Sequence, residues 1–156
     1  MEVCEFVKEN ELINITDSSK KGTRMKKIDV ARLIDIVGER NIKTDPSDLY
    51  IYGSDSSVHH SMPWAVVRPE NTSQVQKIMK YANEELIPVI PRGGGSGMCG
   101  QTVPIQGGII LDMKGMNRIL EINLKDVYCR VEPGVVDDDL NLALKQYGMF
   151  YPPTPA

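Results

Sequence analysis

The stretch PRGGGSGMCGQTVP, residues 91–104, sets glycine at positions 93, 94, 95, 97 and 100 between two prolines. Backbone so bare of Cβ atoms loses too much entropy on ordering to persist as helix or strand, so it reads as a loop. It half-fits two phosphate-binding signatures. Gly95 to Gly100 satisfies G-x-G-x-x-G, the dinucleotide fingerprint, and Gly95 to Thr102 reads as a P-loop with Gln101 in place of the lysine. Either signature must run into a helix whose N-terminus holds the phosphates. Pro104 and the Gly107-Gly108 pair forbid a useful helix there, and Gln101 carries no charge. Both signatures are rejected.

What remains is a loop whose successive N–H groups, turned inward, form a nest for an anion without any lysine. Ser96 and Thr102 add hydroxyl donors. Arg92 either neutralises an anion or pairs with a carboxylate. The competing reading is a flexible turn, but a plain turn needs one or two glycines rather than five.

The flanking segments say what the loop connects. IPVIPRG (87–93) before it and GGIILDM (107–113) after it are short apolar runs that read as strands. WAVVRP (64–69), closed by Pro69, is a third. NTSQVQKIMKYANEEL (71–86) lies between WAVVRP and IPVIPRG. Ser73 and Gln76 have capping-box spacing, and Val75, Ile78, Met79, Ala82 and Leu86 recur at helical spacing. Strand, helix and strand with a short crossover make a right-handed βαβ unit with parallel strands. Upstream, KIDVARLIDIV (27–37) places Ile28, Ala31, Ile34 and Val37 at a helical period, and Gly38 suits its end. Residues 43–63, rich in Ser, Asp, Pro and Gly, read as loop. Residues 1–24 read as a weakly patterned lead-in with a short helix and linker.

Downstream the pattern changes. RILEIN (118–123) and VYCRVEPG (127–134) alternate around LKD, as in an antiparallel hairpin. DDDLNLALKQY (137–147) opens with acids where a helix dipole favours them, and Leu140, Ala143, Leu144 and Tyr147 form its apolar stripe.

Composition narrows the partners. The net charge is −3 and the pI about 5.4, which gives no electrostatic reason for nucleic-acid binding. The Lys20-Lys21 and Lys26-Lys27 pairs read as a solvated approach to a helix. No run is apolar over the length that crosses a bilayer, and the N-terminus lacks the basic start and apolar run of a signal peptide, so the expected location is cytoplasmic. Three scattered cysteines and two adjacent histidines, His59 and His60, provide neither a disulfide framework nor a metal site.

Residues 89–135, VIPRGGGSGMCGQTVPIQGGIILDMKGMNRILEINLKDVYCRVEPGV, resemble the FAD-binding region of the vanillyl-alcohol oxidase / p-cresol methylhydroxylase (PCMH) class. The likeness is greatest to the glycolate oxidase and D-lactate dehydrogenase flavoproteins, and it runs from about Tyr50 to Ala156. It implies an α+β, PCMH-type fold: a small parallel βαβ subdomain followed by the start of a second, antiparallel α+β subdomain. The implied division is a helical lead-in (1–49), a first FAD-binding subdomain with its pyrophosphate loop (50–120), and the beginning of a second subdomain (121–156), which leaves the chain an N-terminal fragment.

In that class the loop amides hold the FAD pyrophosphate. The role falls on Pro91, Arg92, Gly93, Gly94, Gly95, Ser96, Gly97, Met98, Gly100 and Gln101. YPPTPA (151–156) resembles the class's PP-D-P-[AS] loop beside the flavin, which implicates Pro153, Thr154 and Pro155, although Thr154 stands where an acid is usual. LDMKGMNRI resembles L-D-x-x-x-M-N-x-I, with Asp112, Met116 and Asn117 bracing strand and turn. VEPGV resembles the turn into the second subdomain, at Gly134. Tyr50, Tyr52 and Asp55 resemble a Y-x-x-D lead-in that packs around the start of the domain. Ser96 falls where some relatives carry the histidine that bonds to FAD, which implies non-covalent binding.

The implied activity is oxidation of a small 2-hydroxy acid, of the glycolate or D-lactate type, by hydride transfer to FAD, and no residue here is nominated as the catalytic base. An electron-transfer partner or a homo-oligomer belongs to the same expectation. Two alternatives stand beside it: a non-catalytic fragment that does not hold flavin, and the FAD domain of a sugar-lactone oxidase or cell-wall-precursor reductase.

Overall fold

A computed structural model describes residues 28–152, so the expected N-terminal helix and linker, both lysine pairs and Pro153, Thr154 and Pro155 lie outside the described residues. The described chain forms two sheets, one mixed and one antiparallel.

The first sheet is built on three short parallel strands. β2 (Ala65–Val67) and β3 (Val89–Arg92) both pair with β4 (Ile109–Asp112), which lies between them. The helix α3 (Thr72–Glu84) therefore crosses from β2 over the position that β4 later fills. A two-residue edge strand, β1 (Ile42–Lys43), adds antiparallel to β2. β2 and β4 are buried throughout, because helices cover both faces of the sheet. On one face Ala65, Val67, Ile109 and Leu111 pack with Ile78, Tyr81 and Ala82 of α3 and with Leu33 and Val37 of α1 (Val30–Val37). On the other, Val66 and Ile110 meet Leu49 of α2 (Pro46–Tyr52). α1 and β1, from the stretch read as lead-in, are thus part of this unit.

Local chemistry accounts for where the helices begin. α3 is capped by Asn71, which accepts the Gln74 amide N–H, while the Gln74 side chain accepts the N–H of Glu70. The capping pair is therefore set two residues earlier than the Ser73–Gln76 spacing predicted. Tyr81, absent from the expected stripe, is fully buried, whereas Met79 and Leu86 are exposed. α1 turns Leu33 and Val37 inward, and Ala31 faces solvent, because the helix starts only after Ile28. The segment 43–63 is not all loop. Asp45 caps through the Ser47 N–H, Pro46 occupies the first turn, and α2 follows.

The second sheet is the expected hairpin, β5 (Ile119–Asn123) with β6 (Tyr128–Val131). A 3-10 turn (Met113–Gly115) leads into it from β4. At Gly134 a Cβ would stand 2.0 Å from the Met113 carbonyl oxygen, so only glycine lets the chain leave β6 past that turn. Its N–H donates to the Met116 carbonyl. Glu132, almost fully buried, accepts from the Arg118 N–H and from both Nε and Nη2 of its guanidinium, which clamps the open end of the hairpin. α4 (Asp137–Lys145) closes the described fold, with Leu140 and Leu144 inward.

Candidate functional site

The loop from residue 93 to 108 leaves the carboxyl end of β3 and returns to start β4, with no helix in between. This bears out the rejection of both helix-dependent signatures. Among the described residues no backbone amide from 94 to 99 donates to a backbone acceptor or a side chain. The loop is held instead from below and from the side. The Ser56 N–H donates to the Gly97 carbonyl, and the Val103 N–H to the Gly100 carbonyl.

The glycines divide into two kinds. Gly95 has φ +72, and a Cβ there would stand 2.2 Å from Nη2 of Arg92, so the protein itself demands glycine. Gly93 and Gly94 have no such reason. Neither has positive φ, and a Cβ on either would meet nothing within 4 Å. Open space over bare main chain, beside amides without acceptors, fits an oxyanion that lies directly against the backbone. The remaining members differ in attitude. Ser96 and Met98 are exposed, the Gln101 side-chain amide folds over Gly97, and Pro91 is exposed at the end of β3.

Arg92 does not join the open face of this loop. It is 8% exposed, and its Nη1 donates to the carbonyl of Ser54 (2.7 Å), with longer contacts to the Tyr52 carbonyl and Thr102 Oγ1. Thr102 Oγ1 donates in turn to Asp55. Hydrogen bonds from Ser57, and then from Thr102, hold the Asp55 carboxyl below the usual carboxylate range. Tyr52 lies against Arg92, its ring 5.4 Å from the guanidinium carbon, and its hydroxyl donates to the buried Asp112 at 2.7 Å. Burial first, and the neighbouring Asp112 carboxylate second, push that hydroxyl up to about 12.

Tyr52, Ser54, Asp55 and Thr102 thus support the loop; Thr102, expected as a donor to the anion, instead gives its hydroxyl proton to Asp55, and Ser54 carries no expectation from the sequence. The signal for this support lies in Tyr52-x-x-Asp55, for which the resemblance implies only packing. Asp112 braces the turn as expected, accepting from the Lys114 N–H as well as from Tyr52. Met116 is buried and Asn117 exposed. His59 packs beside Gly100 and His60 against Tyr50, both exposed.

Comparison with known proteins decides the family. A model described as "FAD binding domain" matches residues 63–156. The chain belongs to that family. Glycolate oxidase subunit GlcD of Bacillus subtilis is 37% identical over 126 residues, covering 80% of this FAD-binding chain and 27% of that protein. The mitochondrial D-lactate dehydrogenase [cytochrome] of Arabidopsis thaliana is 35% identical over 120 residues, covering 75% of this chain and 21% of that protein. Among solved structures, p-cresol methylhydroxylase with substrate bound superposes with a TM-score of 0.69 and 28% identity, over 76% of this chain and 24% of the other. The chain thus spans about a quarter of the length of these relatives. The PCMH-type fold, an α+β architecture with parallel and antiparallel sheets, is confirmed. The two relatives are named as an oxidase subunit and a dehydrogenase. No described helix is long and apolar enough to cross a membrane.

Proposed function

We propose that the β3–β4 loop holds the diphosphate of FAD and that the chain is the FAD-holding part of an oxidoreductase acting on a small 2-hydroxy acid. The observation that carries this reading is the loop itself: amides without acceptors beside two glycines that nothing in the protein requires. The main chain of Gly93, Gly94, Gly95, Ser96 and Gly97 would bear the diphosphate, with Met98, Gly100 and Gln101 forming the far wall. Arg92 and Pro91 set the loop's take-off from β3. Pro153, Thr154 and Pro155 are proposed for the flavin side on their resemblance alone.

Bound FAD would supply the two-electron acceptor for oxidation of the substrate's hydroxyl-bearing carbon. This chain's own contribution is to grip and orient. Ser96 offers no imidazole nitrogen for a bond to the flavin, so binding is non-covalent. The 2-hydroxy-acid class rests on relatives named for glycolate and D-lactate oxidation, and on a 41% identical D-2-hydroxyglutarate dehydrogenase of Escherichia coli. The proposed division into a first subdomain with the loop and a second near residue 121 draws support from the presence of two separate sheets, with β5 beginning at Ile119.

Flavin absorbance of the purified protein, and its behaviour on acid denaturation, tests the assignment. Free FAD should appear in the supernatant and none should remain on the precipitate. Yellow precipitate would defeat the non-covalent part. A protein that neither carries nor takes up FAD would defeat the assignment.

A further inference from the structure

Arg92 is a buried cation with no carboxylate within ion-pair distance among the described residues. Burying a charge is costly unless something compensates it. Its Nη1 is satisfied by neutral oxygens of Ser54, Tyr52 and Thr102. Its Nε and Nη2 donate to no protein acceptor among the described residues, and these atoms lie nearest the vacant side of Gly95. Among the described residues no fully buried side-chain polar atom lacks a partner, so both nitrogens keep some contact with solvent. The two nearby carboxylates are each one group removed: Asp55 behind Thr102, and Asp112 behind the Tyr52 hydroxyl.

Resting on the diphosphate reading above, we infer that Arg92 is the counter-charge of the loop, a positioning residue that acts on a diphosphate from behind Gly95 rather than by grasping it from the front. The main chain provides donors but no net charge; Arg92 supplies one positive charge at the low-dielectric back of the same loop, where it is poorly screened. The missing Cβ of Gly95 then has a second use, since it lets the guanidinium approach the peptide plane. Tyr52 and Thr102 hold the guanidinium in place and keep both carboxylates at a distance. The ligand class that such a site prefers is a nucleoside diphosphate or dinucleotide over the uncharged nucleoside.

Affinities of the purified chain for FAD, ADP and adenosine, measured by flavin fluorescence quenching and calorimetry, test this. In Arg92→Gln, which keeps hydrogen-bonding capacity towards Ser54, FAD and ADP should bind about tenfold more weakly or worse, while Arg92→Lys stays within roughly threefold of wild type. Adenosine affinity should not change. Asp55→Asn makes the sign decisive. Removing a nearby negative charge should tighten ADP by about two- to fivefold, whereas damage to a purely structural brace would weaken it. Equal losses in Arg92→Gln and Arg92→Lys, an equal loss for adenosine, or weaker ADP binding in Asp55→Asn would overturn the inference. Should Arg92→Gln fail to fold, Asp55→Asn still decides it. Failure of the wild type to bind either FAD or ADP would instead remove the diphosphate assignment itself.

Discussion

Two neighbouring glycines differ: Gly95 answers to the protein's own geometry and Gly94 only to the proposed ligand, and substitution separates them. At Gly95 any side chain meets both positive φ and the Arg92 guanidinium. Gly95→Ala should therefore lower stability by about 1–2 kcal/mol, the usual cost of left-handed backbone, and chemical denaturation reads this directly. At Gly94 a methyl group enters empty space. Gly94→Ala should leave stability within about 0.5 kcal/mol of wild type, as surface changes do, yet weaken FAD because the added atom would stand where the proposed diphosphate lies. Loss of stability at Gly94, or undiminished FAD affinity, would contradict the division. Tyr52 gives a pH signature at the same scale. Its hydroxyl titrates near 12 in the folded chain against 10 ordinarily, so its contribution is whole below pH 10 and is lost as pH rises through 12. Tyr52→Phe should flatten the alkaline fall in stability across that window, leaving the smaller part due to Tyr81, which burial also raises. An unchanged alkaline limb would refute the Tyr52–Asp112 pairing.

At the scale of elements, caps and turns carry measurable weight. Asn71→Ala removes the acceptor of the Gln74 N–H and should cost about 1 kcal/mol; Ser73→Ala, at the position favoured by the sequence pattern, should cost less. Urea denaturation of the two variants ranks them, and the reverse order would disprove the capping assignment. In the hairpin turn Val127 takes φ +54, a poor conformation for a β-branched residue. Val127→Asn should stabilise by up to about 1 kcal/mol in thermal unfolding.

These elements also show what the sequence exposes. The strands AVV and IILD were legible because a parallel sheet covered on both faces needs unbroken apolar runs. The hairpin was legible from alternation, and the glycine loop from composition. α2 was missed because its seven residues are too few to show a period, although Asp45-Pro46-Ser47 is a capping signal in its own right. The order of the sheet, with β4 between β2 and β3, was not legible, since pairing is long-range and leaves no local mark. The site was half legible for a similar reason: bare amides follow from the glycines, but the inward turn of Arg92 depends on carbonyls some forty residues away.

For the whole molecule, the described residues form a first unit that carries the proposed diphosphate loop and a second unit of hairpin and helix with several exposed apolar side chains. Leu120, Leu124, Val127, Val131 and Leu142 are all exposed on the second. The chain corresponds to about a quarter of its relatives, and the proposed diphosphate grip is the part of the chemistry argued from its own residues. The most direct measurement is amide-resolved NMR of the isotope-labelled protein titrated with ADP and, separately, adenosine. Main-chain attachment predicts that the N–H signals of residues 93–97 shift strongly with ADP and stay in place with adenosine, while those of α3 move with neither. Amides of the loop that ignore ADP, with the shifts confined to lysine-bearing surface elsewhere, would contradict it.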